Sequence, residues 1–313
     1  MRIWDFSPIN KNGNHHTAQS RASYVVKAKQ KLRYGVYLPD FGKAASPRIL
    51  VDLAEEAEDC GWDGFFLWDH MVEWNSHTPV YDAFTCLAAI ATNTKRIRIG
   101  TAVTPIPSQK PWVIARQAIT LDQLSNGRLI LGAGLGDKES CDYERFGEPA
   151  DNKVLAEKLD ESLNIISGLW SGKPFRYAGK HYVLKNPVLL PNRIQKPRIP
   201  IWVAAHWPRK GPFKRAVKWN GVIPLRFPGN LLEPNELRIV VEYIRTLRGN
   251  ADDFAVAIIG SNMNQRKNPE KVERFANAGM TWWLENFYTK RNSPEFLKKL
   301  IRLGPPRIKL RTS

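Results

Sequence analysis

Gly127-Arg128-Leu129-Ile130-Leu131-Gly132-Ala133-Gly134-Leu135-Gly136 decides how this chain folds. It reads as an apolar strand whose C-terminal end carries alternating glycines. A helical pattern ending at Asn126-Gly127 precedes it and another helical pattern follows. Alternating glycine at a strand end removes the Cβ atoms and lets something flat approach the backbone. Taken alone, the run is better read as a loose strand-to-loop turn. Its place in a series of similar units gives it weight.

Working outward, short apolar runs alternate with helical patterns from residue 33 onward. Toward the N-terminus lie the strands Tyr34–Leu38, Gly64–Trp68 and Arg96–Val103. The first helix starts at Ser46, a residue suited to an N-cap, with Pro47 at its first position, and ends at Gly61. Its Leu50, Leu53, Ala54 and Ala57 share one face at helical spacing. The second helix is expected around 80–93, the third over Pro111–Asn126 and the fourth over about 153–170. Toward the C-terminus, residues 172–198 read as a hairpin insertion and a Pro-rich loop. Strands at Ile199–Ala204, Gly221–Leu225, Phe254–Ile259 and Met280–Leu284 then alternate with helices near 211–219, 234–248, 269–278 and 294–302. Continuous apolar strands separated by helices imply a parallel sheet buried on both faces. Eight such units in this length imply a (β/α)8 TIM barrel with a hairpin insertion between units four and five. A doubly wound sheet would show Gly-x-Gly-x-x-Gly after its first strand. Here Pro39-Asp40-Phe41-Gly42 stands there instead.

The boundaries read from this pattern are a barrel over 32–303, a disordered basic arm over 1–31 and a basic tail over 304–313. The net charge of +17 invites a nucleic-acid reading, but its distribution argues against one. Residues 1–31 hold six Lys/Arg against one acid, and residues 290–313 hold eight against one. The ends are basic and the barrel carries no basic stripe. No stretch approaches the roughly 20 apolar residues of a membrane span, and residues 1–31 hold no apolar signal-peptide core. The three cysteines, Cys60, Cys86 and Cys141, lack metal-ligand spacing. They read as reduced thiols in a cytoplasmic protein.

A barrel of this kind carries its active site at the C-terminal ends of the strands. Pro39, Asp40, Phe41, Asp69, His70, Thr101 to Pro107, Gly134 to Asp137, His206, Arg209, Arg226, Glu285 and Asn286 fall there. The set holds no Ser/His/Asp arrangement and no His/carboxylate metal cluster. It is rich in glycine and aromatic surface, as a flat redox cofactor would require. His70 is the candidate catalytic residue, since an imidazole at the mouth titrates near neutrality and serves as acid or base. Arg209 and Lys210 at the start of a helix are candidates for a phosphate. No metal is expected.

The segments Gly61–His70, Ile97–Pro105 with Pro111, Thr120–Arg128, Leu131–Gly136, Leu169–Gly172 and Ile199–Ala205 resemble the luciferase-like flavin-dependent monooxygenases. The resemblance covers about 33–303. It implies a (β/α)8 barrel that binds reduced FMN or the deazaflavin coenzyme F-420. It implies that His70 lies over the ring and that Ala102–Val103 is a non-prolyl cis peptide. It further implies cofactor contacts from Asp69, Thr101, Ala102, Val103, Gly134, Ala205, His206, Arg209 and Lys210, with Gly134 facing the ring. Many relatives carry Gly-Gly or Ala-Ser where this chain has Ala205-His206. The activity implied is oxidation of a small organic substrate by oxygen and reduced FMN, the FMN being supplied by a flavin reductase. The alternatives are a deazaflavin-dependent dehydrogenase, which transfers hydride without oxygen, and a non-catalytic flavin-binding barrel. The partners expected are a small-molecule substrate, the reductase and, in a homo-oligomer, further copies of the chain. Neither nucleic acid nor membrane is among them.

Overall fold

A computed structural model describes residues 32–74, 77–137, 142–226, 231–249, 253–261, 269–288, 293–306 and 308. The arm over 1–31 and most of the tail lie outside the described residues. The barrel is made by β1 (Arg33–Leu38), β2 (Gly64–Leu67), β3 (Arg98–Thr101) with its continuation β4 (Thr104–Pro105), and β5 (Leu129–Gly134). After α4 (Asn152–Leu169) come β6 (Tyr177–Ala178) and β7 (Val183–Leu184), which pair antiparallel outside the barrel. The barrel resumes with β8 (Ile201–Trp207), β9 (Gly221–Arg226), β10 (Ala255–Gly260) and β11 (Trp282–Asn286). Every barrel neighbour is parallel, and the β1–β11 and β3–β5 pairings close the ring. The remaining helices are α1 (Pro47–Asp59), α2 (Ala83–Asn93), α3 (Pro111–Leu124), α5 (Lys210–Ala216), α6 (Pro234–Arg248), α7 (Glu270–Asn277) and α8 (Pro294–Arg302). In α1 the Ser46 side chain makes no capping bond, so Pro47, with its preset φ, starts the helix. Leu50, Leu53, Ala54 and Ala57 of that helix are all buried.

Close approach of strands explains the glycines of the deciding run. A Cβ on Gly132 would sit 2.0 Å from the Thr101 carbonyl oxygen, and one on Gly100 would sit 2.2 Å from that of Ile130. These two glycines let β3 and β5 seal the barrel. The space beside Gly134 is taken by Val103, whose Cγ2 would be 2.4 Å from an added Cβ. The Ala102–Val103 peptide between β3 and β4 is cis.

The barrel interior is filled by aromatics. Phe66 stacks on Trp202 at 5.4 Å between ring centroids, and Trp282 meets both edge-on at 5.8 and 5.2 Å. Strand alternation sends Trp283 the other way. It is buried against Phe275 of α7, so neither tryptophan of that pair reaches the mouth. Above this core, Trp68, Val103, Leu225 and Ile259 are only partly buried. They form an apolar floor at the C-terminal rim.

Candidate functional site

His70 follows β2 and is held from two sides. Its backbone N–H donates to Asp40 Oδ2 at 3.0 Å, which fixes the turn out of the strand. Its Nδ1 lies 3.4 Å from both carboxylate oxygens of Asp142. The Asp142 side chain is completely buried. It also accepts from the backbone N–H of Met71 at 3.2 Å and of Asp137 at 2.7 Å. These two backbone donors hold the carboxylate facing the ring. Burial opposes a charged His70, but the Asp142 contact together with the charges of Asp40 and Asp69 outweighs it, and the pKa of His70 rises above its ordinary value. Burial drives Asp40 up to about 6. Asp69 is buried against Thr104, with its Oδ2 at 2.7 Å from the threonine Oγ1, and burial takes it up to about 7.

Aromatic side chains line the same rim. Trp68 stacks on Tyr37 at 5.5 Å and meets Phe41 and Tyr288 at 5.5 and 5.4 Å. Trp74 closes on His70 at 5.7 Å and donates through Nε1 to Asp137 Oδ2 at 3.0 Å. Arg145 donates to the Trp74 carbonyl at 2.9 Å. Through these bonds the loops after β2 and β5 become a single wall with His70 on it. Tyr81 N–H donates to the Asp40 carbonyl at 2.9 Å and docks the far end of the β2–α2 loop on the β1–α1 loop.

Across the mouth, β8 runs further than its sequence suggested. Ala205, His206 and Trp207 belong to the strand, not to the following loop, because pairing with β9 continues to Trp207 opposite Arg226. Ala205 is therefore buried, while His206 projects outward and is exposed. Arg209 is exposed on the loop beyond, and Lys210 places its Nζ 5.8 Å from the Tyr243 ring centroid on α6. Thr101, Ala102 and Val103 lie at the β3–β4 junction, and Thr101 and Ala102 are buried there. His70, Asp69 and this junction thus share one side of the rim. Arg209 and His206 stand on another strand unit.

Sequence reasoning missed Asp142, Trp74 and Tyr288 as parts of the site. Asp142 is 72 residues from His70 in the chain and sits in a loop without periodicity. Trp74, only four residues after His70 in the loop that leaves β2, carried a signal that could have found it. Among the described residues no group of His, Cys, Asp and Glu could hold a metal ion. Among them, too, no helix is long and apolar enough to cross a membrane.

Comparisons with known proteins add what geometry alone leaves open. An F420-dependent glucose-6-phosphate dehydrogenase of Amycolatopsis mediterranei is 34% identical over 182 residues, covering 57% of this chain and 52% of that protein. This chain thus spans about half the length of the curated relatives it matches. A solved F420-dependent secondary alcohol dehydrogenase, in complex with an F420-acetone adduct, superposes with a TM-score of 0.73. It does so at 17% identity over 88% of this chain and 98% of that one. A monooxygenase from Streptomyces bottropensis superposes with a TM-score of 0.69 at 18% identity, over 87% and 97% of the two chains. At these identities the two structures share the fold. The sequence model of the luciferase-like monooxygenases matches residues 11–282, starting before residue 33, where the motifs begin, and ending at the first residue of β11. A match that runs through every barrel unit but the last makes the chain a member of the luciferase-like monooxygenase family.

Proposed function

We propose that this protein is an oxidoreductase that uses the deazaflavin coenzyme F420 to oxidise a hydroxyl group on a small organic molecule. The observation that carries the reading is His70 on the rim, with Nδ1 turned to the buried Asp142. Oxidising an alcohol releases a hydride and a proton, and the proton needs a base at the mouth. With Nδ1 facing Asp142, Nε2 is the ring atom that can take it. A barrel that only stores a flavin has no use for this pair. The choice of cofactor is supported by the curated relatives, which at 34% identity are F420-dependent dehydrogenases. It replaces the reading that put reduced FMN and oxygen first.

The rim residues suit a flat, mostly apolar ring with polar edges. The floor is Trp68, Val103, Leu225 and Ile259. Trp68 Nε1 and Asp40 Oδ1 are buried without a hydrogen-bond partner among the described residues, and a polar ring edge would satisfy such groups. When bound, F420 would supply the hydride acceptor. The chain's own part is to seat the ring on this floor, exclude water with the wall of Trp74 and Phe41, and take the hydroxyl proton on His70. Arg209, exposed beyond β8, would meet the phosphate of the cofactor tail.

The test is anaerobic. Wild-type protein is mixed with oxidised F420 and a panel of secondary alcohols and sugar phosphates. Reduction of F420 by one of them supports the proposal. Turnover that requires oxygen and reduced FMN from a reductase overturns it in favour of a monooxygenase.

A further inference from the structure

Asp69 directly precedes His70 and turns its carboxyl inward, where it reaches Thr104 at the start of β4. Thr104 Oγ1 lies 2.7 Å from Asp69 Oδ2 and 2.9 Å from Thr101 Oγ1. Thr101 Oγ1 lies in turn 3.1 Å from the Gly132 carbonyl oxygen. Four buried oxygens therefore make three contacts in a row. Each contact needs a proton to be a hydrogen bond. The two threonines bring one each, and a carbonyl brings none. Two protons cannot serve three contacts.

We propose that the third proton belongs to Asp69, which is held as a neutral carboxylic acid and donates through Oδ2 to Thr104. Thr104 then donates to Thr101, and Thr101 donates to the Gly132 carbonyl. The chain of donors runs one way from the site wall into the β3–β5 seam. With Asp69 ionised, one of the three contacts is a close approach of two oxygens with no proton between them, among side chains that are buried.

The surroundings agree with this count. Burial favours the neutral form and raises the pKa of Asp69 to about 7, outweighing the Thr104 contact, which as a bond to the ionised form would lower it; the charges of Asp40, Asp82 and Asp142 push the same way as burial. Asp142 already receives the backbone N–H groups of Met71 and Asp137 and is the carboxyl that faces His70. A second full charge on Asp69 would raise the hold of His70 on its proton, since Asp69 stands among the groups that push His70 upward. A neutral Asp69 leaves that proton easier to move. Asp69 is in this sense a positioning residue. Only this consequence rests on the proposed role of His70; the protonation itself does not.

The experiment uses the resting protein without cofactor, so its failure is distinct from failure of the dehydrogenase reading. Aspartate labelled with carbon-13 at Cγ is incorporated, and the carboxyl resonances are followed against pH. Asp69→Asn identifies the Asp69 signal by its loss, and its amide can still donate to Thr104. Thr101→Val keeps the shape but removes the acceptor of the Thr104 proton. The neutral acid then loses a bond that the ionised form does not use. The expected result is an Asp69 signal that keeps its protonated shift well above the ordinary midpoint of about 3.9 and titrates near neutrality. In Thr101→Val the midpoint moves to lower pH. That shift also identifies the signal if Asp69→Asn does not fold. A wild-type midpoint in the ordinary carboxylate range, or an unchanged midpoint in Thr101→Val, overturns the proposal.

Discussion

His70 shows how one side chain acquires a role from its neighbours. The ring is largely enclosed, which disfavours charge, yet the two Asp142 oxygens at 3.4 Å, with the charges of Asp40 and Asp69, reverse the balance and raise its pKa. A base must first be free of its proton, so alcohol oxidation should rise with pH through that raised value. Asp142→Asn keeps an acceptor near Nδ1 but removes the charge. The rising limb of kcat/KM against pH should then move to lower pH, and a limb that stays in place would separate Asp142 from His70. His70→Ala should lower kcat by about 10²–10⁴-fold while the circular dichroism spectrum and melting temperature stay near wild type. A variant that turns over like wild type would make His70 a structural histidine. His70 was legible because Asp-His directly follows an apolar strand ending Leu67-Trp68. Asp142 was not, because its contact is made between two irregular loops 72 residues apart.

Elements were legible where periodicity and punctuation agree. Pro47, Pro111, Pro234 and Pro294 each open a helix at its first position, and the expected helices begin at or near them. Strand ends were less so. β8 runs to Trp207 because its ladder with β9 persists, and no residue in Ala205-His206-Trp207 announces that. The glycines of β5 were read as room for a ligand, yet Gly132 answers to its neighbouring strand. Its missing Cβ would collide with backbone, which cannot rotate away as a side chain can. Gly132→Ala should therefore destabilise the fold by about 1–3 kcal/mol or more, visible as a lower urea midpoint. At Gly211 an added Cβ meets nothing within 4 Å, so Gly211→Ala should leave the midpoint nearly unchanged. Equal midpoints for the two variants would show that the β3–β5 seam is not tightly packed.

At the scale of the molecule, a closed parallel barrel was legible because the strands and helices form eight units of the right length and the Gly-x-Gly-x-x-Gly of a doubly wound sheet is missing after the first strand. The same closure gathers carboxylates from three separate units, and this affects stability. Asp40, at about 6, and Asp69, at about 7, both titrate above the ordinary value of about 3.9. The folded state thus holds protons that the unfolded chain has lost. Their stabilising contribution is complete below the ordinary carboxylate value and is lost as pH rises through the raised values. His70, also raised, acts in the same direction, losing its contribution as pH climbs past its folded value. The melting temperature contributed by the site should fall from about pH 5 to 8, and Asp40→Asn should flatten that fall. A slope identical in wild type and Asp40→Asn would mean that Asp40 titrates normally. The central claim remains the cofactor, and it is tested without any substrate. Wild-type protein is titrated side by side with oxidised F420 and with FMN, and binding is followed by quenching of the rim tryptophans, among them Trp68 and Trp74. The account predicts that F420 binds at least about tenfold more tightly, a difference of about 1.4 kcal/mol; tighter binding of FMN would contradict it.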